Sequence, residues 1–338
     1  MKQGYSYQSN PQLKTVKPGW PGNKVIRGMF ANGEDLYVPR MRDVWKWQLS
    51  PNPQKAEKAK DDYRPQVIPQ PGLFRAQDDS ITWLGHASFL LRLQGRSLLV
   101  DPVLFDLPLM KRRTALPCPP EAFHPIDYLL LSHGHRDHLD ARSVKQVFAL
   151  NPGLQAYGPL GMGKLLHRLV PGLPLQEAGW YQQYHLDGGA GLELFFLPAA
   201  HWHRRGLFDM NQVLWGSFLI RTPTRSIFFA GDTALKDHFT AIRELFGAPD
   251  ICMLPVGAYK PAYLMQQSHL NPQEAVAAFN QLGGKTFIPM HYGTFDLSDE
   301  PAGEPVRLLQ QMAAAAKING KLLLPAIGQN LLQAPIPA

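Results

Sequence analysis

The chain has 338 residues, 45% of them apolar and 18% charged, with two cysteines and a formal net charge of +7. That length supports a sizeable core in one or two domains. Cys118 and Cys252, 134 residues apart, make neither a disulfide scaffold nor a CxxC pair. No run approaches the ~18 apolar residues of a membrane span, and the polar start Met1-Lys2-Gln3 lacks a signal peptide's apolar stretch. The expectation is a soluble, cytoplasmic protein of a reducing compartment.

The charge is uneven. Residues 1–75 carry 13 Lys and Arg against 6 Asp and Glu, and the remainder is balanced at 21 to 21. A basic arm on a neutral body fits an anionic lipid surface, nucleic acid, or a solvated arm packed around the body. The arm is rich in Pro, Lys and Gln, with turn dipeptides Pro18-Gly19, Pro21-Gly22 and Pro71-Gly72. It reads as an irregular leader with one short helix. Trp20, Phe30, Trp45 and Trp47 predict that it packs on the body, because disordered tails are poor in aromatics.

From residue 80 the texture changes to short apolar runs. Ser80–Leu84, Ser88–Leu93 and Ser97–Val100 read as a hairpin meander, and Ile126–Leu131 as a strand buried on both faces. Further strands are predicted at Leu192–Leu197, Val213–Thr222, Ser226–Ala230, Ile251–Pro255, Thr286–Pro289 and Lys321–Leu324. Helices are predicted between them, at Ala141–Leu150, Met162–Val170, Lys236–Phe246, Pro272–Leu282 and Pro305–Lys317. Strands and helices that mix throughout, with early hairpins, predict an α/β fold with mixed sheets. One internal echo stands out. Ser88–Ser97 recurs 129 residues later as Ser217–Ser226 with six of ten positions identical, and each copy is followed by an aspartate, Asp101 or Asp232. Two related halves predict a site at their seam.

The buried strand at 126–131 empties into Ser132-His133-Gly134-His135-Arg136-Asp137-His138-Leu139-Asp140. Neutral imidazole and carboxylate are natural donors for zinc and similar ions, and Gly134 is expected to let the backbone turn so that His133 and His135 point the same way. Two ions need further ligands, each best aimed by the end of a strand. His201, Asp232 and His291 follow Leu192–Leu197, Ser226–Ala230 and Thr286–Pro289 in this way.

The ordered set His-x-His-x-Asp-His, His201, Asp232 and His291 resembles the metallo-β-lactamase superfamily. The branch it most resembles contains N-acylphosphatidylethanolamine-hydrolysing phospholipase D. Thr82-Trp-Leu-Gly-His-Ala87, Leu131–Asp140, Phe228-Phe-Ala-Gly-Asp-Thr233, Leu254-Pro-Val-Gly-Ala-Tyr259, His269-Leu-Asn-Pro-Gln-Glu-Ala-Val276 and His291-Tyr-Gly-Thr-Phe295 carry that likeness, in order over residues 80–310. The resemblance implies an αββα four-layer sandwich, two mixed β-sheets flanked by helices, with residues 76–338 as one catalytic domain. It implies two Zn²⁺ ions (iron or manganese tolerate the same ligands), one on His133, His135 and His201, the other on Asp137, His138 and His291, with Asp232 bridging. Asp101 would orient a ligand imidazole or cap a turn; His86 would support a ligand or sit in the core.

The implied reaction is attack of a metal-bridging hydroxide on a phosphodiester in an N-acylphosphatidylethanolamine-like phospholipid, with peripheral membrane contact and no nucleic-acid partner. His269 and Tyr259 are the expected proton donors; Tyr292 and His203 are weaker candidates. His203 stands where the branch commonly has cysteine, and could add a ligand or an acid. The Met253–Leu264 stretch and the aromatic leader are the expected landing surface for acyl chains. A lactone hydrolase or a nuclease of the same superfamily, or a non-enzymatic metal-binding protein, are the alternatives; oligomeric state is left open.

Overall fold

A computed structural model describes residues 4–75, 78–188 and 191–333. The leader is more regular than its composition predicts. It forms strands β1 (Tyr5–Gln8), β2 (Lys14–Thr15), β3 (Asn23–Ile26) and β4 (Met29–Phe30), then helices α1 (Met41–Leu49) and α2 (Lys55–Lys60). Strands β1, β3 and β4 make a small antiparallel sheet. The β3–β4 hairpin closes through Arg27 and Gly28, both at positive φ (53° and 79°). That is a two-residue turn without the usual Asn-Gly signature, so the sequence hides it. Trp20, Phe30 and Trp47 are at least partly buried as expected, but Trp45 stands 61% exposed.

The body begins with β5 (Ser80–Gly85), β6 (Ser88–Leu93), β7 (Arg96–Val100) and β8 (Tyr128–Leu130). Then come α3 (Ala141–Leu150), β9 (Gln155–Pro159), α4 (Met162–Leu169) and β10 (Leu175–Ala178). These strands form a sheet in the order β10-β9-β8-β7-β6-β5. Its first pairs are antiparallel and the later ones, from β7–β8 onward, parallel. The second half supplies β11 (Gln182–Gln183), β12 (Glu193–Leu197), β13 (Ser217–Arg221), β14 (Ser226–Phe229), α5 (His238–Phe246) and β15 (Ile251–Pro255). It ends with α6 (Ala262–Met265), α7 (Pro272–Leu282), β16 (Thr286–Met290), α8 (Glu304–Ala314) and β17 (Lys321–Leu322). Its eight-stranded sheet runs β17-β16-β15-β14-β13-β12-β11-β2, so the leader's β2 forms one edge. Strands β9, β10 and β11 escape the sequence reading: they are short, and β9 contains Gly158 and Pro159.

The ten-residue echo forms equivalent hairpins, β6–β7 and β13–β14, and each second strand then pairs in parallel with the next, β8 or β15. Side-chain alternation assigns the faces. In the first sheet Phe89, Leu91, Leu98 and Leu130 join the central core, whereas Leu90, Leu99 and Leu129 pack with Val144 and Val147 of α3 and Leu165 and Leu166 of α4. In β14, Phe229 meets Phe89 across the sheets at 6.2 Å between ring centroids, while its neighbour Phe228 turns to Phe239 of α5 at 6.4 Å. Phe279 of α7 stacks on Phe287 of β16 at 5.3 Å. Helices, sheet, sheet, helices: this is the four-layer αββα order expected.

Candidate metal centre

The site is built where strands end. Asp101 follows β7, the loop 132–140 follows β8, and His201, Asp232 and His291 follow β12, β14 and β16. The 132–140 loop is closed by Asp140, which caps α3 by accepting from Ser143 N at 2.8 Å. Helix α7, just after His269, starts with a capping box between Asn271 and Glu274 and with Pro272 in its first turn. His86, Asp101 and His291 have φ of 53°, 40° and 64°, left-handed backbone that non-glycine residues adopt at a cost and that clusters at functional sites.

The side chains converge. His135 Nδ1 lies 3.0 Å from both His133 Nε2 and His201 Nε2. Beside them Asp137 Oδ2 is 3.7 Å from His138 Nε2 and 3.4 Å from His291 Nε2. Asp232 sits between the two groups: Oδ2 is 3.2 Å from His138 Nε2 and 3.9 Å from His201 Nε2, and Oδ1 is 3.2 Å from His291 Nε2. The potential ligand atoms of His133, His135 and His201 lie within 4.8 Å of one another, and so do those of His86, Asp137, His138 and His291. All seven residues singled out for metal are therefore brought together.

Neighbours fix the rings. Asp101 Oδ2 accepts from His138 Nδ1 at 2.8 Å, and Asp101 Oδ1 accepts from Ser132 N at 2.8 Å, so Asp101 stands behind a ring rather than capping a turn. His201 Nδ1 donates to Ser268 O at 2.9 Å, which leaves the Nε2 lone pair facing the cluster. The leader reaches in too: Asn32 Nδ2 donates to His201 O at 2.8 Å and Asn32 Oδ1 accepts from His201 N at 3.2 Å. No sequence signal marked Asn32 or Ser268. His86 is also more involved than expected, with Nε2 at 3.1 Å from Asp137 Oδ2. The rule that ligands follow strands would have found it, since His86 directly follows β5.

Three expectations change. Gly134 does not adopt a left-handed turn; its need is for space, because a Cβ there would lie 2.4 Å from His203 Nε2 and 2.9 Å from Leu165 Cδ2. His203 is in none of the potential ligand groups among the described residues and stacks on His135 at 5.9 Å, filling that space. Tyr259 donates its hydroxyl to Glu304, and burial together with that carboxylate pushes its pKa far up, so its proton is engaged there and not offered to the cluster. His269 does reach the cluster, with Nδ1 3.8 Å from Asp232 Oδ2. His269 and Asp137 keep 13% and 17% of their side chains exposed, and His135 is also only partly buried, so these three mark the open side of the site.

Electrostatics divide the cluster. Burial holds His133 and His201 well below the ordinary histidine value and His135 at about 3, so these three are neutral with lone pairs available. Burial also pulls on His138 and His291, but Asp232 and Asp137 outweigh it, lifting His138 well above its ordinary value and His291 to about 9. Burial alone would raise Asp232; the His138 and His291 charges hold it well below the carboxylate range. His138 Nε2, His291 Nε2 and Asp232 Oδ1 nonetheless have no hydrogen-bond partner, although they are buried. Unpaired buried donor atoms facing one another fit a bound cation. Protons on His138 and His291 then occupy the place of its charge. Metal affinity should therefore rise from neutral pH towards about 9, with proton release on binding. Calorimetry in buffers of different ionisation enthalpy measures both, and a pH-independent affinity would contradict this account.

A family model described as a beta-lactamase superfamily domain matches residues 96–292. The chain belongs to the beta-lactamase superfamily. Among its relatives, N-acyl-phosphatidylethanolamine-hydrolyzing phospholipase D 1 of Caenorhabditis elegans is 34% identical over 228 residues, 64% of this chain and 64% of that protein. The chain thus spans under two thirds of that relative. An uncharacterized protein of Mycobacterium tuberculosis is 32% identical over 285 residues, 79% of this chain and 73% of its own length. Among solved structures Igni18, a metallo hydrolase from Ignicoccus hospitalis, superposes with a TM-score of 0.56 at 20% identity, covering 75% of this chain and 97% of that one. At that identity the superfamily member shares the fold. Among the described residues no helix is long and apolar enough to cross a membrane.

Proposed function

We propose that this superfamily member is a metal-dependent hydrolase that cleaves a phosphodiester bond in an N-acylphosphatidylethanolamine-like phospholipid. The carrying observation is the set of unpaired donor atoms of His138, His291 and Asp232 turned toward one another in a buried cluster. The likeness to a phospholipase D named for that lipid supports the substrate class. In this reading residues 76–338 are the catalytic domain and residues 1–75 pack on it.

His133, His135 and His201 would hold one divalent ion and Asp137, His138 and His291 the other, with the Asp232 carboxylate facing both. The donor set suits zinc and accepts iron or manganese. Such ions supply water of lowered pKa and positive charge opposite the phosphoryl oxygens. The protein's own groups do the positioning. Asp101 and Ser268 fix the His138 and His201 rings, and Asn32 holds the His201 backbone. Burial keeps His269 neutral, with its pKa down at about 4, so near pH 7 it offers one N–H and one lone pair to orient a phosphoryl oxygen or the departing group.

A lipid substrate needs room for its acyl chains. In this reading their candidate place is a cavity of about 450 Å³ beside the segment leading into His201, lined on one part by Trp20, Tyr37, Trp180 and Tyr181 and on another by Asp35, Lys236 and Asp237. The Met253–Leu264 stretch contributes less than expected, since Met253 and Leu254 are core residues. Metal-reconstituted protein given a panel of diacyl phospholipids, bis(p-nitrophenyl) phosphate and small lactones should cleave N-acylphosphatidylethanolamine fastest. A preference for lactones would replace this reading with a lactonase.

A further inference from the structure

Helix α1 is amphipathic the wrong way round for a packed helix. At ~100° per residue, Met41, Trp45 and Leu49 form one narrow stripe, and that stripe faces out while Asp43, Val44 and Trp47 are the partly buried positions. Leu207 and Phe208 form a second exposed apolar point. These five account for half of the ten large apolar side chains exposed among the described residues, and each keeps between 49% and 88% of its surface exposed.

The two features are neighbours. Arg204 Nη1 lies 3.6 Å from Met41 Sδ, and Lys46 Nζ sits 4.5 Å over the Tyr263 ring of α6. The 205–209 turn is built, not loose. Asp209 accepts from Gly206 N at 2.7 Å, Gln212 Nε2 donates to Phe208 O at 2.8 Å, and Arg205 Nη1 donates to Leu139 O at 2.7 Å. The same segment borders the metal cluster, since Arg204 N is 3.4 Å from His135 Nε2.

Cations flank the apolar points on both sides. Arg42 and Lys46 lie beside the stripe on exposed positions of α1, with Arg42 Nε also 3.6 Å from Asp43 Oδ1. Arg205 of the turn, which donates to the Gly134 and Leu139 carbonyls, also lines an open depression of about 590 Å³ with Arg136, Arg142 and Lys145, in which the one acid, Asp140, is already engaged in capping α3.

We propose that α1 and the 205–209 turn form a docking face that seats the cluster's rim on an anionic lipid bilayer. Trp45, Leu49, Leu207 and Phe208 enter the headgroup–acyl boundary and the flanking cations meet lipid phosphates. A second copy of the chain is the poorer occupant. A two-fold contact through this stripe would set Arg42, Lys46 and their copies against each other, whereas an anionic surface neutralises them all. The proposal gives the lipid-hydrolase reading its route to substrate and rests on that reading for its purpose, not for its geometry.

The test uses the full chain with vesicles of phosphatidylcholine alone or mixed with phosphatidylglycerol. Wild-type protein should sediment with the anionic vesicles, less as salt rises, and Trp fluorescence should shift to the blue. A Trp45→Ser, Leu49→Ser, Leu207→Ser, Phe208→Ser variant should lose about tenfold or more in partitioning while cleaving bis(p-nitrophenyl) phosphate as wild type does. Equal sedimentation of variant and wild type overturns the proposal, as does wild-type protein that ignores anionic vesicles. Dimers that the substitutions dissociate, without vesicle binding, assign the stripe to a second copy and overturn it too. Vesicle binding without cleavage of any diester defeats the hydrolase reading alone, and diester cleavage without vesicle binding defeats the docking face alone.

Discussion

On the proposed two-ion reading, Asp232→Asn should lower turnover by at least about a thousandfold, about 4 kcal/mol of transition-state stabilisation, and reduce bound metal, with the fold unchanged. The reason is position. Asp232 is the carboxylate that approaches ring nitrogens of both groups, His138 and His291 on one side and His201 on the other. Asparagine keeps the shape but removes the negative charge that lifts His138 and His291. Those rings then shed protons more readily, yet cations held by the two groups would lose a shared anionic partner. Metal analysis, circular dichroism and single-turnover assays on the same preparation separate the outcomes. Retained turnover with two metal equivalents would reject the shared-carboxylate role.

Gly134→Ala should destabilise the protein by roughly 1–3 kcal/mol, as overpacking does, and impair metal binding together with it. An added methyl would meet His203 Nε2 at 2.4 Å, His203 Cδ2 at 2.7 Å and Leu165 Cδ2 at 2.9 Å. His203 has no room to retreat: its ring is fully buried and stacked on His135. The loop must move instead, and it carries His133 and His135 with it. His203→Ala alone opens a small space, and the Gly134→Ala, His203→Ala pair should recover about 1 kcal/mol or more relative to the sum of the singles. Denaturant melts of the four proteins measure that coupling. Additive losses would show that His203 is not what requires glycine at 134.

Much of this protein is legible along the chain. The apolar runs Ser88–Leu93, Ser97–Val100, Ser226–Ala230 and Ile251–Pro255 read as strands because buried strands leave unbroken or alternating apolar signals. Helix α7 reads from Asn271-Pro272-Gln273-Glu274, whose cap is local. The seven candidate ligands read from a rule that is also local, a polar donor where a rigid strand ends. The leader resists the same treatment. Its hairpin turns on Arg27-Gly28, and β2 exists by pairing with β11, 167 residues away in the Gln182–Thr15 partnership.

The order of residues carries the elements, their capping, the echo of two hairpins, and a supply of imidazoles and carboxylates at strand ends. Packing in three dimensions assigns each one its partner. Asp101 and Asp232 follow equivalent hairpins, yet one accepts from His138 Nδ1 behind the ring and the other faces Nε2 in front of it. Glycine at 134 is set by a histidine 69 residues away rather than by a turn, the Tyr259 hydroxyl donates its hydrogen bond to Glu304, and Trp45 faces outward where its neighbours on the leader pack. The difference is one of range. Periodicity and caps act within a few residues, whereas the direction and partner of a donor atom depend on how two sheets and their edge loops pack against each other.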